Sequence, residues 1–148
     1  MSNQSARDIL DALVSFPTVS RDTNIPLVDW VEGYLTGLGV KSHRHVKLHE
    51  PTKHAIFCSV GPEVPGGVVL SGHTDVVPID GQDWTSDPWS VDERDGKLFG
   101  RGTCDMKGFD ALALHALQRA LKSDLKRPLQ IALSYDEEIG CAGAPPLS

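Results

Sequence analysis

An apolar segment without alternating polar residues, GVVLS at residues 67–71, runs directly into the polar sequence Gly-His-Thr-Asp. Such a run predicts a β-strand that is covered on both faces, as in the centre of an α/β sheet. A second apolar segment, residues 128–135, runs into Asp-Glu-Glu in the same way. Because open α/β sheets place their sites beyond the carboxyl ends of strands, the two segments together predict the fold class and the location of the site.

The rest of the chain alternates helical and strand patterns. Apolar residues at helical spacing predict helices with Ser5 and Asn24 as N-caps, and the segment between the third strand and the last helix is rich in turn formers. The predicted helices are 6–16, 24–38 and 106–122, and the further strands are 40–48 and 55–60. This alternation predicts an α/β fold with a mainly parallel, mixed sheet.

Composition excludes several classes of function. The 148 residues are 40% hydrophobic and contain no apolar run long enough to span a bilayer, which argues against a membrane protein. The net charge of −6 argues against nucleic-acid binding. Three cysteines without a C-x-x-C pair, and a start without a basic leader and apolar core, favour reduced thiols and a cytoplasmic location.

His73 and Asp75 form the first candidate pair. Residues two apart in an extended strand point the same way, so the two side chains can act together. A neutral imidazole suits zinc or cobalt, and a carboxylate can accept its other N–H and fix the tautomer. An acid–base pair or a surface salt bridge remains open.

Asp105 lies in the glycine-rich sequence GRGTCDMKG, residues 100–108. A dinucleotide loop requires glycine at position 105, and a nucleotide P-loop requires Ser or Thr after Lys107, so both phosphate-binding patterns fail. A carboxylate among glycines suits a cation, although Asp105 could instead cap the following helix.

Glu137 and Glu138 follow the last strand within YDEEIG. One carboxylate can ligate a metal while its neighbour takes a proton from water, although an exposed acidic loop is the common alternative. One imidazole and several carboxylates at strand ends are a ligand set typical of two divalent ions in one cleft.

SGHTDVVP at 71–78, GRGTCDMKG at 100–108 and DEEIG at 136–140, in this order and spacing, resemble the dinuclear zinc deacylase and carboxypeptidase family. The resemblance covers roughly residues 5–143, and residues 80–109 are most similar to the branch that deacetylates N-acetylornithine. It implies a three-layer α/β/α zinc-peptidase-like catalytic domain. It also implies a zinc-dependent hydrolase of linear amide C–N bonds.

The resemblance also implies the role of each site residue. His73 would bind one metal, Asp75 would orient His73, and Asp105 would bridge two divalent ions, zinc or else cobalt. Glu137 would be the general base and Glu138 would bind the second metal. The peptide bond after Asp105 is expected to be cis.

Family members carry further ligands and a lid domain that the 148 residues do not contain. We therefore expect residues 1–148 to be the N-terminal part of a truncated catalytic domain, inactive by itself, within a protein that dimerises through its lid. The expected partner is a small N-acyl amino acid, N-acetylornithine, in arginine biosynthesis. Succinyl-diaminopimelate or a peptide is the alternative substrate, and a non-catalytic metal-binding module is the alternative function.

Overall fold

The computed structural model describes residues 4–145. The elements in chain order are α1 (Ala6–Val14), α2 (Ile25–Gly37), β1 (Ser42–Val46), β2 (His54–Val60), β3 (Val68–His73), β4 (Asp92–Arg94), β5 (Lys97–Phe99), α3 (Lys107–Ala120) and β6 (Leu129–Ser134). In this part of the chain no helix has the length and hydropathy that a bilayer-spanning segment needs.

Four strands form one mixed sheet in the order β1-β2-β6-β3. The mixed character was predicted, but the expectation of a mainly parallel sheet is wrong for the described residues. Only β3 and β6 pair in parallel, whereas β1–β2 and β2–β6 are antiparallel. The connection from β1 to β2, residues 47–53, is short, and a connection of this length can join antiparallel but not parallel neighbours.

One hydrophobic core joins the helices to the sheet and confirms the α/β class. α2 packs on β1 and β2, α3 packs on β3 and β6, and α1 packs against α3. From the sheet, alternate residues of β2 and β6 point into this core: Ile56, Cys58, Ile131 and Leu133. Burial of these apolar side chains is the main force that holds the helices on the sheet.

Strand β3 differs from the prediction that both of its faces are covered. It is an edge strand of the sheet formed by residues 4–145, and Val68 and Val69 are more than half exposed. Burial begins only at its carboxyl end, where Gly72 and His73 are buried. The covered part of this strand is therefore the part that carries the candidate site.

The predicted helix starts are confirmed, but one of the two predicted caps is not. Ser5 forms a capping box with Asp8 at the start of α1. Asn24 precedes α2, but its side chain makes no cap hydrogen bond. Its amide instead donates to the carbonyl oxygen of His54 and to Thr74 Oγ1, so Asn24 joins the start of α2 to the segment beside His73.

The hairpin of β4 and β5 was not predicted from the sequence. Its turn is Asp95-Gly96, and both residues have positive φ, at 50° and 70°. An Asp-Gly pair between short strands favours this turn, so the signal was present in the segment assigned only to loops.

Candidate metal centre

His73 ends strand β3 with its imidazole buried between two sets of carboxylate groups. Its Nδ1–H donates to the carbonyl oxygen of Asp75 at 3.0 Å, and Nδ1 lies 3.5 Å from Asp75 Oδ1. On the other side of the ring, Nε2 lies 3.2 Å from Asp105 Oδ1 and 3.6 Å from Glu137 Oε2. Asp75 therefore holds one ring nitrogen, and the other faces the acids predicted to surround a metal.

The ionisation of His73 reflects this environment. Burial lowers the pKa of the imidazole, but hydrogen bonds to Asp75 and the charges of Asp75 and Glu137 outweigh burial and raise the pKa to about 9. In the absence of a metal ion, both ring nitrogens of His73 are therefore protonated near neutral pH, and the positive charge of the imidazolium balances the charge of the carboxylates.

Asp75 is 1% exposed and connects three segments of the chain. Its carboxylate accepts hydrogen bonds from Ser20 Oγ at 2.6 Å and from the backbone N–H groups of Glu137 at 3.1 Å and Glu138 at 3.3 Å. Burial raises its pKa, but His73, Ser20 and the Glu137 amide outweigh burial and lower it to about 2. An ionised Asp75 thus holds both the His73 ring and the turn that carries the two glutamates.

Asp105 lies in the turn before α3, and its peptide bond to Met106 is cis, as the resemblance implied. Its side chain is 71% exposed, and Oδ1 faces His73 Nε2. The alternative of a helix cap is wrong, because the residue at the N-cap is Met106 and no side chain caps α3. Close packing shapes the turn, since a Cβ on Gly108 would lie 2.2 Å from the carbonyl oxygen of Thr103.

Glu137 and Glu138 lie in the turn after β6, which begins with Asp136 in the left-handed region at φ 55°. Burial, together with the charge of Asp105, raises the pKa of Glu138. His73, Glu137 and Glu138 each offer a ligand atom within 4.8 Å of the others. Asp105 is outside this group of three, although its Oδ1 faces His73 Nε2, and Asp75 lies on the other side of the ring. The five predicted site residues thus all lie around His73, but proximity does not distinguish a base at Glu137 from a ligand there.

The donor set fits a divalent ion. An imidazole nitrogen and carboxylate oxygens are ligands that zinc accepts at about 2.0–2.2 Å, so ligand atoms within a few ångströms of one another can share one ion. The fixed Nδ1–H of His73 leaves Nε2 for the ion, which is how imidazole ligands are normally oriented.

Several residues that build the site were not predicted from the sequence. Ser20 and Asn24 come from the segment between α1 and α2, which an isolated bridge between Val19 and Val76 aligns with the chain after β3. Lys53, which is 1% exposed, lies at the start of β2 and contacts this same segment. Serine, asparagine and lysine in loops are common, and no local pattern marked these three as part of a site.

Comparisons with known proteins point to one family. The model for Peptidase family M20/M25/M40 matches residues 69–148. An acetylornithine deacetylase from Salmonella arizonae is 38% identical over 143 residues, which are 93% of this chain and 37% of that protein. An acetylornithine deacetylase from Salmonella newport matches with the same identity and coverage. The chain thus spans about 37% of the length of these curated relatives.

Solved structures show a similar fold. Human carnosine dipeptidase 1 aligns with a TM-score of 0.79 and 28% identity, covering 96% of this chain and 34% of that one. An M20 family metallo-carboxypeptidase from Sulfolobus solfataricus aligns with a TM-score of 0.80 and 21% identity, covering 93% of this chain and 32% of that one.

Proposed function

The chain belongs to peptidase family M20/M25/M40, and we propose that it forms part of the catalytic centre of a metal-dependent amide hydrolase. The observation that carries the proposal is the arrangement around His73. Asp75 holds its Nδ1 side, and Asp105 and Glu137 face its Nε2 side. The same Asp75 carboxylate binds the backbone of Glu137 and Glu138, so one buried group arranges His73 and both glutamates.

We propose that His73, Asp105 and Glu138 hold two divalent ions, zinc by preference, with Asp105 shared between them. Bound there, the ions would polarise the amide carbonyl and lower the pKa of an attacking water. Glu137 would take the proton from that water and deliver it to the leaving nitrogen. Asp75 would keep Nδ1 of His73 protonated and the two glutamates in position.

We propose N-acetylornithine as the substrate, with hydrolysis to ornithine and acetate. The support is the 38% identity to acetylornithine deacetylases across 93% of this chain. Cleavage of a dipeptide is the second candidate, favoured by the 28% identity to human carnosine dipeptidase 1. Both substrates are amides of small amino acids, so the same site residues would serve either reaction.

We further propose a cytoplasmic role in arginine biosynthesis for the complete protein, and a homodimer formed through a lid domain outside residues 1–148. Restored growth of an arginine-requiring strain that lacks its own deacetylase would support the first part. Sedimentation of the complete protein at twice its monomer mass would support the second.

The deciding experiment is a direct assay of the complete protein that contains this chain. We expect bound zinc by metal analysis, release of acetate from N-acetylornithine, loss of activity with a chelator, and recovery with zinc or cobalt. Succinyl-diaminopimelate and dipeptides are the comparison substrates. Turnover of one of them without acetylornithine turnover would contradict the substrate. Absence of both metal and amide hydrolysis would contradict the enzyme and favour a module without catalysis.

A further inference from the structure

Lys53 is a fully buried lysine whose ammonium group contacts two residues next to the candidate metal centre, Ser20 and Asp136. Its Nζ donates to the carbonyl oxygen of Ser20 at 2.5 Å and lies 3.2 Å from Asp136 Oδ1. A buried ammonium group is costly unless it is paired and hydrogen-bonded, so its two contacts constrain the side chain. Each contact leads to a different part of the centre.

The first contact leads to the two glutamates. Asp136 is fully buried and directly precedes Glu137, and its left-handed backbone sets the direction in which the following residues leave β6. Its carboxylate faces two ammonium groups: Lys47 Nζ donates a hydrogen bond to Oδ2 at 2.6 Å, and Lys53 Nζ forms an ion pair with Oδ1 at 3.2 Å without hydrogen-bond geometry. With Asp136 fixed in this way, the peptide groups of Glu137 and Glu138 point at Asp75.

The second contact leads to Asp75 through a single residue. The carbonyl oxygen of Ser20 accepts from Lys53, its N–H donates to the carbonyl oxygen of Val76, and its hydroxyl donates to Asp75 Oδ2. Lys53 therefore fixes the serine that binds the same carboxylate that orients His73 and the glutamates. Both contacts of the Lys53 ammonium group are therefore connected to the Asp75 carboxylate, one through Ser20 and the other through the backbone of Glu137 and Glu138.

We infer that Lys53 is a positioning residue of the metal centre, whose ammonium holds Ser20 and Asp136 so that Asp75 can align His73, Glu137 and Glu138. The effect on metal binding rests on the proposed function, but the effect on the geometry does not. Lys53 itself touches none of the proposed ligands.

Lys47 provides a matched control within the same cluster. It binds the same Asp136 carboxylate, but it is about a quarter exposed, pairs also with Glu50, and has no contact with Ser20. If any lysine near Asp136 served the same purpose, Lys47→Met and Lys53→Met would have the same effect. If the double contact to Ser20 and Asp136 matters, Lys53→Met would be much the more damaging.

The test is hydrogen–deuterium exchange of the complete protein that contains this chain, after its metal has been removed, followed by titration with cobalt(II). In Lys53→Met we expect the amides of Glu137 and Glu138 to exchange about fivefold faster or more, with the paired amides of β2 and β6 unchanged. We expect cobalt affinity to fall about 10–100-fold with an altered visible absorption spectrum, and Lys47→Met to change either property much less.

Unchanged exchange at Glu137 and Glu138, or equal acceleration throughout β2 and β6, would overturn the inference, because the second result would mean a general stabilising role. If Lys53→Met does not fold, Lys53→Gln, which is one methylene shorter and keeps an N–H donor but not the charge, is judged by the same criteria. If the unmodified protein binds no cobalt, the proposed function fails, and the exchange measurement still decides the role of Lys53.

Discussion

The carboxylate of Asp75 accepts a hydrogen bond from the backbone N–H of Glu137 across 62 residues of sequence. The same carboxylate also holds the His73 ring, so the carboxyl ends of β3 and β6 are joined by one buried side chain. This contact explains why the two glutamates lie beside the imidazole although the turn that carries them is partly exposed.

Asp75→Asn tests that relationship. An amide has one acceptor oxygen and cannot accept from Ser20 and the two backbone amides together, so donors lose partners in a buried site. The substitution also removes the negative charge that lies 3.5 Å from His73 Nδ1. We expect metal affinity to fall about 10–100-fold and the free energy of unfolding to fall by about 1–3 kcal/mol. Isothermal titration with zinc and urea unfolding measure the two effects.

Asp80→Asn is the matched control for Asp75→Asn, because Asp80 is exposed and pairs with Arg21 on the surface. The orienting role of Asp75 would be wrong if both substitutions left zinc affinity unchanged.

Glu137→Gln and Glu138→Gln separate the base from the ligand. Because Glu137 is proposed to move protons, its substitution should lower kcat by about 10²–10⁴-fold and leave metal content intact. Because Glu138 is proposed to hold an ion, its substitution should lower metal affinity as well as kcat. Metal analysis beside kinetics of the complete protein provides the comparison. Equal metal loss in both variants would assign Glu137 to the ligand shell, which its position beside His73 and Glu138 also permits.

The pKa of His73 predicts a pH dependence of stability in metal-free protein. The folded-state pKa of about 9 is above the ordinary 6.5, so the folded chain binds this proton more tightly than the unfolded chain does. The resulting stabilisation is fully present below pH 6.5 and is lost as the pH rises through about 9. The difference between these two pKa values corresponds to about 3 kcal/mol.

Urea unfolding of the unmodified protein and of His73→Gln, with a chelator, checks this prediction. The free energy of unfolding of the unmodified protein should exceed that of His73→Gln by more at about pH 6 than at about pH 10, because only the unmodified protein has an imidazole that is protonated at the lower pH. A difference that stays the same at both pH values would contradict the raised pKa.

The parts of the site that were predicted from the sequence are those with local signals. His73, Glu137 and Glu138 follow apolar strands, and Asp105 lies among glycines, so each was visible within about ten residues of chain. Ser20 and Lys53 had no such signal. Their partners lie 55 and 33 residues away, and only the folded chain brings these atoms together.

In the fold, too, the elements with a local sequence signal were predicted and the pairing of distant elements was not. Apolar runs predicted β3 and β6, but neither run contains information on its neighbour in the sheet. The antiparallel pairing of β2 with β6 depends on β6 lying between β2 and β3, which is a property of the whole chain. The pattern of residues 67–71 predicted cover on both faces, yet Val68 and Val69 are exposed within the described residues.

Gly72 gives the last prediction, because it lies where no side chain fits. A Cβ at this position would be 2.0 Å from Asp110 Oδ1, a buried carboxyl oxygen of α3 without a hydrogen-bond partner among residues 4–145. Gly72→Ala should therefore push α3 away from β3 next to His73 and destabilise the fold by about 1–3 kcal/mol. Urea unfolding measures the change, and a zinc titration shows whether the shift reaches the site.

A double-mutant cycle identifies the cause of that destabilisation. Asp110→Ala removes the atom in the way, so Gly72→Ala should cost much less in the Asp110→Ala background. Gly33→Ala is the control, because a Cβ there meets no atom within 4 Å and should stabilise α2 by about 0.5–1 kcal/mol. Equal costs of Gly72→Ala in both backgrounds would mean that another contact, and not Asp110, requires glycine beside His73.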